Sequence, residues 1–186
     1  IMGGAEIQTH NLGNKIAEEQ EVDIFLLNYT NIKKKKYNIK TLPLFLINIV
    51  YLLKYYCYLD FTFFYSIYFK KIIEKEKYNV WHFHSLNYKT LLFINVLSKL
   101  KQKIAVTFQG ADIQIQKNIG YGYRLKKKYN RLFIKTIKKI DIYFAISENI
   151  KKELLLLNID KKKIFKVPNA VDIKKIRKIK HQKNNR

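Results

Sequence analysis

The chain has 186 residues, of which 48% are apolar and 15% aromatic, so it can bury a core and is too apolar to be intrinsically disordered. Its formal net charge of +23 at first sight favours a nucleic acid or an anionic membrane as partner. Cys57 is the only cysteine, which excludes a disulfide framework and a thiolate metal cluster.

The first part of the chain predicts a helix over residues 5–19 and a short apolar strand over 22–27. Residues 28–40 are polar and rich in lysine, and they predict a loop. Pro43 begins a helical region of two apolar, aromatic helices, which ends in a charged run at 74–77. Its most apolar stretch, residues 42–53, is too short to cross a membrane, because a spanning helix needs about 20 apolar residues. We expect the two helices to pack on a core, and the alternative is that one of them lies in the membrane interface.

The second part alternates strands and helices. Four apolar runs predict strands over residues 80–83, 104–108, 142–146 and 164–167. Between them lie an almost wholly apolar helix around 91–100, an amphipathic helix over 125–140 and a third helix that Ser147 can cap. Uniformly apolar strands that alternate with helices predict an α/β fold, a parallel sheet with helices on both faces.

Two histidines lie at the end of the first of these strands, in the sequence VWHFHS. Strand alternation points His82 and His84 to the same face, and His84 lies at the carboxyl end, where parallel sheets bind ligands. We expect a structural role for His82 and a place in the site for His84. No metal site is predicted, because neither a carboxylate nor a third histidine stands nearby at a ligand spacing.

Polar turns follow two further strands. The sequence TFQGAD places Gln109, Gly110 and Asp112 after one strand, and PNAVD places Asn169 after the last. Amides and carboxylates can each take pairs of sugar hydroxyls, so TFQGAD suits a sugar-binding turn, although an ordinary turn is an equally good interpretation. PNAVD alone predicts only a defined turn.

A pair of glycines precedes the first helix. Gly3 and Gly4, followed by Glu6, form a turn that leads directly into that helix. Glycines let a ligand approach the backbone closely, and a helix N-terminus offers free N–H groups to a phosphate. A plain tight turn is the alternative for these residues.

Together and in this order, the pieces resemble the N-terminal domain of GT-B glycosyltransferases, specifically the large retaining family 4. The matching segments are GGAE, the strand ending in HFH, TFQGAD and, most specific, DIYFAISENIKKELLLLNIDKKKIFKVPNAVD. The resemblance implies a Rossmann-like domain over residues 1–172, one half of a GT-B fold. Residues 173–186 are then a basic tail or the start of an interdomain linker.

The resemblance also implies substrates and roles. It implies a nucleotide-sugar donor, a glycan or lipid-linked acceptor in polysaccharide or glycan assembly, and no metal or other cofactor. Catalysis would depend on positioning and on electrostatic stabilisation of the departing diphosphate. The implied residues are Gly3 and Gly4 at the donor diphosphate, His84, Gln109 and Asp112 as catalytic residues, and Glu6, Gly110 and Asn169 in the acceptor or sugar cleft.

Three departures from the family pattern lower the expected activity. Many members have histidine where this chain has Gln109, which cannot carry a proton. The strand that the family places before the glycine turn is expected to be missing, because only Ile1 and Met2 precede it. The donor-binding domain, with its pair of spaced glutamates, is expected after residue 172, yet no glutamate follows Glu153. We therefore expect inactivity without that domain, which a partner chain could supply.

Two alternatives without catalysis follow from the charge. Nucleic-acid binding is disfavoured, because only four of the 37 basic residues are arginine and no nucleic-acid-binding motif is present, so we expect no nucleic-acid partner. The lysine-rich face of residues 126–139 could dock on anionic headgroups or could be an ordinary solvated face. We expect a cytoplasmic protein, either free or peripheral on the inner face of the cell membrane.

Overall fold

The computed structural model describes residues 4–26 and 35–170, which contain both helices and strands, and from Phe63 onward the two alternate. In chain order the elements are α1 (Gly4–Ile16), β1 (Asp23–Leu26), β2 (Asn38–Thr41), α2 (Leu44–Tyr55), α3 (Phe63–Glu76), β3 (Trp81–His84), α4 (Tyr88–Lys99), β4 (Ile104–Phe108), α5 (Lys127–Ile137), β5 (Ile142–Ala145), α6 (Glu148–Leu156) and β6 (Ile164–Lys166).

The strands form two parallel sheets flanked by helices. One sheet pairs β1 with β2, and the other has the order β3-β4-β5-β6. All ladders are parallel, with Trp81 opposite Ile104, Ala105 opposite Ile142 and Tyr143 opposite Ile164. The predicted α/β class and parallel strands are therefore confirmed. Within the described ranges no ladder joins β1 to β3, so the strands form two sheets where the sequence predicts one.

Strand β2 corrects the prediction of a loop over residues 28–40, of which residues 28–34 lie outside the described residues. Its sequence, Asn-Ile-Lys-Thr, has no apolar run, so a hydrophobicity pattern misses it. The backbone ladder with β1 defines the strand, and Lys40 secures it through ion pairs with Asp23 at 2.6 Å and Glu76 at 2.8 Å. Long-range pairing, rather than local sequence preference, determines this element.

Helix α1 packs closely on the two-stranded sheet. A Cβ atom on Gly13 would lie 2.7 Å from Cδ1 of Ile24 and 3.1 Å from the ring of Tyr37. His10 Nδ1 lies 2.8 Å from the Tyr37 hydroxyl. The helix thus comes closest to Ile24 of β1 and to Tyr37, which precedes β2, at Gly13.

The main core surrounds α4. This helix begins with a capping box in which Asn87 and Thr90 exchange hydrogen bonds between side chain and backbone. It packs against α3, α5 and β4, and all five residues of β4 are buried. The all-round apolar character of α4 is explained by this central place. Its buried residues are Leu91, Leu92, Phe93, Ile94, Val96 and Leu97.

Aromatic rings join α3 to the main sheet. Phe69 packs edge-on against Trp81 of β3 and Phe93 of α4, and the Tyr65 hydroxyl donates to the Ile47 carbonyl of α2 at 2.8 Å. These contacts anchor the inner faces of α2 and α3. Among the described helices, none has the length and apolarity needed to cross a bilayer.

Candidate functional site

Two loops meet at the carboxyl edge of the main sheet, one after β3 and one after β4. The Ser85 amide donates to the Thr107 carbonyl at 2.9 Å and extends the pairing of the two strands beyond His84. The chain then turns sharply at Gly110, whose φ of +120° suits only glycine. This is the edge at which parallel sheets bind ligands.

Asp112 connects these two loops through hydrogen bonds to the backbone of both. Its side chain is fully buried, and its oxygens accept hydrogen bonds from the backbone amides of Leu86, Gln109 and Gly110 at 2.9–3.3 Å. Burial raises the pKa of the Asp112 carboxyl, while the backbone donors act in the opposite direction. The structure therefore places Asp112 beneath the site, as a residue that positions the loops, rather than at its surface.

Gln109 carries an unsatisfied donor at the same edge. Its side-chain Nε2 is buried and has no hydrogen-bond partner, and it is the only such side-chain atom in the part of the chain that the structure describes. A buried polar group without a partner costs about 1–3 kcal/mol. Because the atom is shielded from solvent, a ligand oxygen reaches it only when neighbouring side chains move aside.

The two histidines of β3 stack on one face of the sheet, as the strand alternation predicts. Their ring centroids lie 4.3 Å apart, and His82 Nε2 lies 2.8 Å from the Thr107 hydroxyl. Burial and, to a smaller extent, His84 lower the pKa of His82 to about 3, and burial also lowers the pKa of His84. Both rings are therefore neutral near pH 7, and the hydrogen bond to Thr107 gives His82 a structural partner.

The loop between β4 and α5 covers one side of the site. An added Cβ on Gly110 would lie 2.8 Å from the Tyr121 hydroxyl and 3.2 Å from Gln114 Oε1, so both polar groups border the turn. Arg124 holds the loop in place, since its Nη1 donates to the Ile113 carbonyl at 2.8 Å. Tyr121 and Gln114 were not identified as site residues from the sequence. The glycines at 110, 120 and 122 were the only sequence feature that indicated an unusual turn there.

A second group of predicted residues lies at the start of α1. Gln8 Nε2 donates to the Ala170 carbonyl at 2.8 Å, which brings the first turns of α1 to the turn after β6. Glu6 and Asn169 are both exposed there. A Cβ on Gly4 would contact nothing within 4 Å, so the surface above it is open. Gly3 lies outside the described residues.

The family model of Glycosyltransferase Family 4 matches residues 2–175. The chain belongs to Glycosyltransferase Family 4. The match spans the glycine turn, both site loops and the PNAVD turn, and it confirms the resemblance to the family's N-terminal domain. Comparison with curated proteins gives no match. Membership gives the chain a glycosyltransferase class of function, with a sugar donor and an acceptor as its substrates.

A shallow, tyrosine-rich cleft adjoins the site of this family 4 domain. Its volume is about 170 Å³, and Asn87, at the end of the loop that Asp112 holds, forms part of its wall. Sequence reasoning missed this cleft because its residues come from three separate segments of the chain. The remaining lining residues are Tyr51, Tyr55, Tyr88, Tyr123, Lys126 and Tyr129.

No group of three or more His, Cys, Asp or Glu side chains among the described residues lies close enough together to hold a metal ion. The expectation that the reaction needs no metal or other cofactor stays a prediction.

The low pKa of His82 predicts that the free energy of unfolding of this glycosyltransferase domain falls at acid pH. The unfolded chain takes up a proton on this histidine near pH 6.5, whereas the folded chain does so only near pH 3. The stability that the neutral ring contributes is thus complete above pH 6.5 and is lost as the pH falls towards 3, at about 1.4 kcal/mol per pH unit.

We expect His82→Gln to remove this part of the pH dependence. Gln can keep a hydrogen bond to Thr107 but does not titrate. Urea unfolding at several pH values should therefore show that the free energy of unfolding falls about 2 kcal/mol less in the variant between about pH 6.5 and about pH 5. Equal slopes for the two proteins would contradict the low pKa.

Proposed function

We propose that this domain binds the acceptor of a retaining sugar transfer at the carboxyl edge of β3 and β4, with a nucleotide-sugar as donor. The observation that carries the proposal is the buried, unpartnered Nε2 of Gln109. Folding leaves this group unsatisfied at a cost, and a sugar oxygen that enters as the neighbouring side chains move aside would satisfy it. The geometry of the edge and the family membership support the same place.

Each site residue has a role in this proposal. The neutral His84 ring accepts a hydrogen bond from a sugar hydroxyl, because burial keeps its pKa low. Gln109 donates to a second sugar oxygen, and the Tyr121 hydroxyl, which borders Gly110, lies beside the sugar. Asp112 is a positioning residue, which holds the amides of both loops in place.

The donor side of the proposal concerns the start of α1. Gly3 and Gly4 would approach the donor diphosphate at the N-terminal end of the helix, where backbone N–H groups favour an anion. Glu6 and Asn169 would line the sugar cleft beside them. A second domain, in the same protein or in a partner chain, would hold the nucleotide, and polysaccharide or lipid-linked glycan assembly in the cytoplasm would be the setting.

Gln109→Leu tests the acceptor site with two measurements. We expect transfer of labelled sugar to fall about 100-fold, because a donor to the transferred or accepting sugar is lost. We expect the free energy of unfolding to stay equal or to rise by about 1 kcal/mol, because the unsatisfied amide is removed. Transfer is measured with the protein as its cells make it, from a panel of nucleotide-sugars to glycan and lipid acceptors, and NMR of the product gives its anomeric configuration.

Gln102→Leu is the matched control at the opposite end of β4. Gln102 Oε1 accepts from Trp81 Nε1 at 3.3 Å, so its loss should lower stability by about 1 kcal/mol and leave transfer unchanged. Unchanged transfer in the Gln109 variant would remove the proposed role of Gln109. An inverted product would refute the retaining mechanism.

A further inference from the structure

The outer side of α2, α3 and their connection is unusually apolar for a solvent-facing surface. Nine large apolar side chains are exposed there, although the inner faces of the same helices already bury Ile47, Val50, Tyr65 and Phe69. Helices that are apolar on both sides normally have a partner on each side. The exposed side chains are those of Phe45, Ile49, Leu52, Tyr56, Tyr58, Leu59, Phe63, Phe64 and Ile67.

Five of the nine lie in and beside the connection between the two helices, here called the α2–α3 tip and defined as residues 56–64. Tyr58, at 70% exposure, and Leu59 and Phe63, both at 51%, project from it. Its one acidic residue, Asp60, forms an ion pair with Lys54 at 2.5 Å. The tip therefore combines aromatic and aliphatic side chains with no unpaired negative charge.

A basic helix, α5, contacts this tip through Lys128. Lys128 Nζ of α5 lies 4.6 Å from the centre of the Tyr58 ring and 4.7 Å from that of Tyr55. It also donates to the Tyr55 carbonyl at 2.7 Å, which fixes α5 beside the tip. The segment 126–140 has no acidic residue, and its exposed basic side chains are Lys126, Lys127, Arg131, Lys135, Lys138 and Lys139.

We propose that the α2–α3 tip inserts into the interfacial region of an anionic lipid bilayer, with the basic face of α5 over the headgroups. Phe, Leu and Tyr beside lysines are the composition of interfacial membrane anchors. A second copy of the chain fits poorly, because each copy would bring the same basic face and a net charge of +23. This surface is independent of the proposed acceptor site at Gln109, so the two proposals can fail separately.

Insertion of the tip would also bring the tyrosine-rich cleft close to the membrane surface. Tyr55 lines that cleft and stacks edge-on against Tyr56 of the tip, with ring centroids 5.0 Å apart. The cleft would therefore lie close to the headgroups when the tip is inserted.

Flotation with vesicles tests the proposal on the full chain. We expect binding to phosphatidylcholine vesicles that contain 30% phosphatidylglycerol and little binding to phosphatidylcholine alone. The double variant Leu59→Ser/Phe63→Ser should bind the anionic vesicles at least about tenfold more weakly, because two inserted apolar side chains are lost. Each of Lys127→Gln, Lys135→Gln and Lys138→Gln should weaken binding by roughly fivefold.

The control variant Leu156→Ser/Phe165→Ser changes the same two residue types at the β6 end of the sheet. Leu156 is 77% exposed and Phe165 50%, so the leucine is more exposed than Leu59 of the tip and the phenylalanine is about as exposed as Phe63. We expect this control to bind anionic vesicles like the unaltered chain. Equal weakening in both double variants would overturn the proposal, because it would show that general apolarity governs binding.

Tryptophan fluorescence gives a second test that does not depend on affinity. Trp81 is the only tryptophan and is buried, so Leu59→Trp adds a reporter at the tip. Its emission should shift to the blue with anionic vesicles, and that of Leu156→Trp should not. Absence of a shift, equal binding to neutral vesicles, or self-association that the tip variant abolishes without any vesicle binding would each overturn the proposal.

Discussion

Gly122→Ala should lower the free energy of unfolding by about 3–5 kcal/mol, the largest loss that we expect from any single methyl group in this domain. A Cβ at Gly122 would lie 2.0 Å from the backbone oxygen of Gln114, and a backbone atom cannot move aside as a side chain can. The residue also has a φ of +112°, which L-residues with a Cβ rarely adopt. The steric clash and the unfavourable backbone conformation would therefore both destabilise the Gly122→Ala variant.

The structural change at Gly122 should also reach the turn at Gly110 in the candidate site. The amide of Tyr123 donates to the Ala111 carbonyl at 2.7 Å, and Gln116 and Tyr121 form an antiparallel bridge across the loop. Moving Gly122 away from Gln114 would pull on both contacts and displace the Tyr121 hydroxyl from Gly110. Urea unfolding measures the loss of stability, and the amide shifts of Gly110 and Tyr121 in NMR report the displacement.

Gly120→Ala is the matched control in the same loop. Gly120 also has a positive φ, +65°, but an added Cβ would meet nothing within 4 Å. Its substitution should therefore cost only the left-handed backbone penalty of about 1 kcal/mol. Similar losses for the two variants would show that backbone conformation, and not the contact with Gln114, determines the requirement for glycine at position 122.

The sequence predicts those helices and strands whose own residues show the expected spacing of apolar side chains. The apolar run of β4 is buried along its whole length, and the three- and four-residue spacing around Tyr129 and Phe133 matches the buried face of α5. Strand β2 escapes prediction because its pairing with β1 and the ion pairs of Lys40 hold it, and neither is visible in local hydrophobicity.

The site is predictable to the extent that a general rule of parallel sheets locates it. The carboxyl-end rule places His84 and Gln109 at one edge, and the structure has them there. The burial of Asp112 depends on the Leu86 amide, 26 residues earlier in the chain, and no local pattern reveals such a contact. Tyr121 borders the turn only because the loop folds back on Gly110.

The structure distinguishes a residue that positions the site loops, Asp112, from one proposed to contact the sugar, Gln109. Asp112 has all its hydrogen bonds within the protein, whereas Gln109 Nε2 has none. Substitutions at the two positions should therefore have opposite signatures. Changes at Asp112 should act first on stability and loop geometry, and changes at Gln109 should act on transfer without loss of stability.

Asp112→Asn should lower the free energy of unfolding by about 2–4 kcal/mol. Both oxygens of Asp112 face only backbone donors, those of Leu86, Gln109 and Gly110. An amide replaces one acceptor by an NH₂ group, which then points at an N–H and leaves at least one buried donor unpaired. The loops after β3 and β4 should separate, and amide shifts of Leu86 and Gly110 in NMR should report it.

Asp141→Asn provides the control for the loss of a carboxylate beside the same strand. Asp141 Oδ2 accepts from the Ile104 amide at 2.9 Å at the opposite end of β4, but this residue is exposed and makes one such bond. Its amide variant can keep that bond through Oδ1 and should lose less than about 1 kcal/mol. If the two variants unfold at the same urea concentration, Asp112 does not join the two loops, and the order of the acceptor edge must come from the packing of the β4–α5 loop instead.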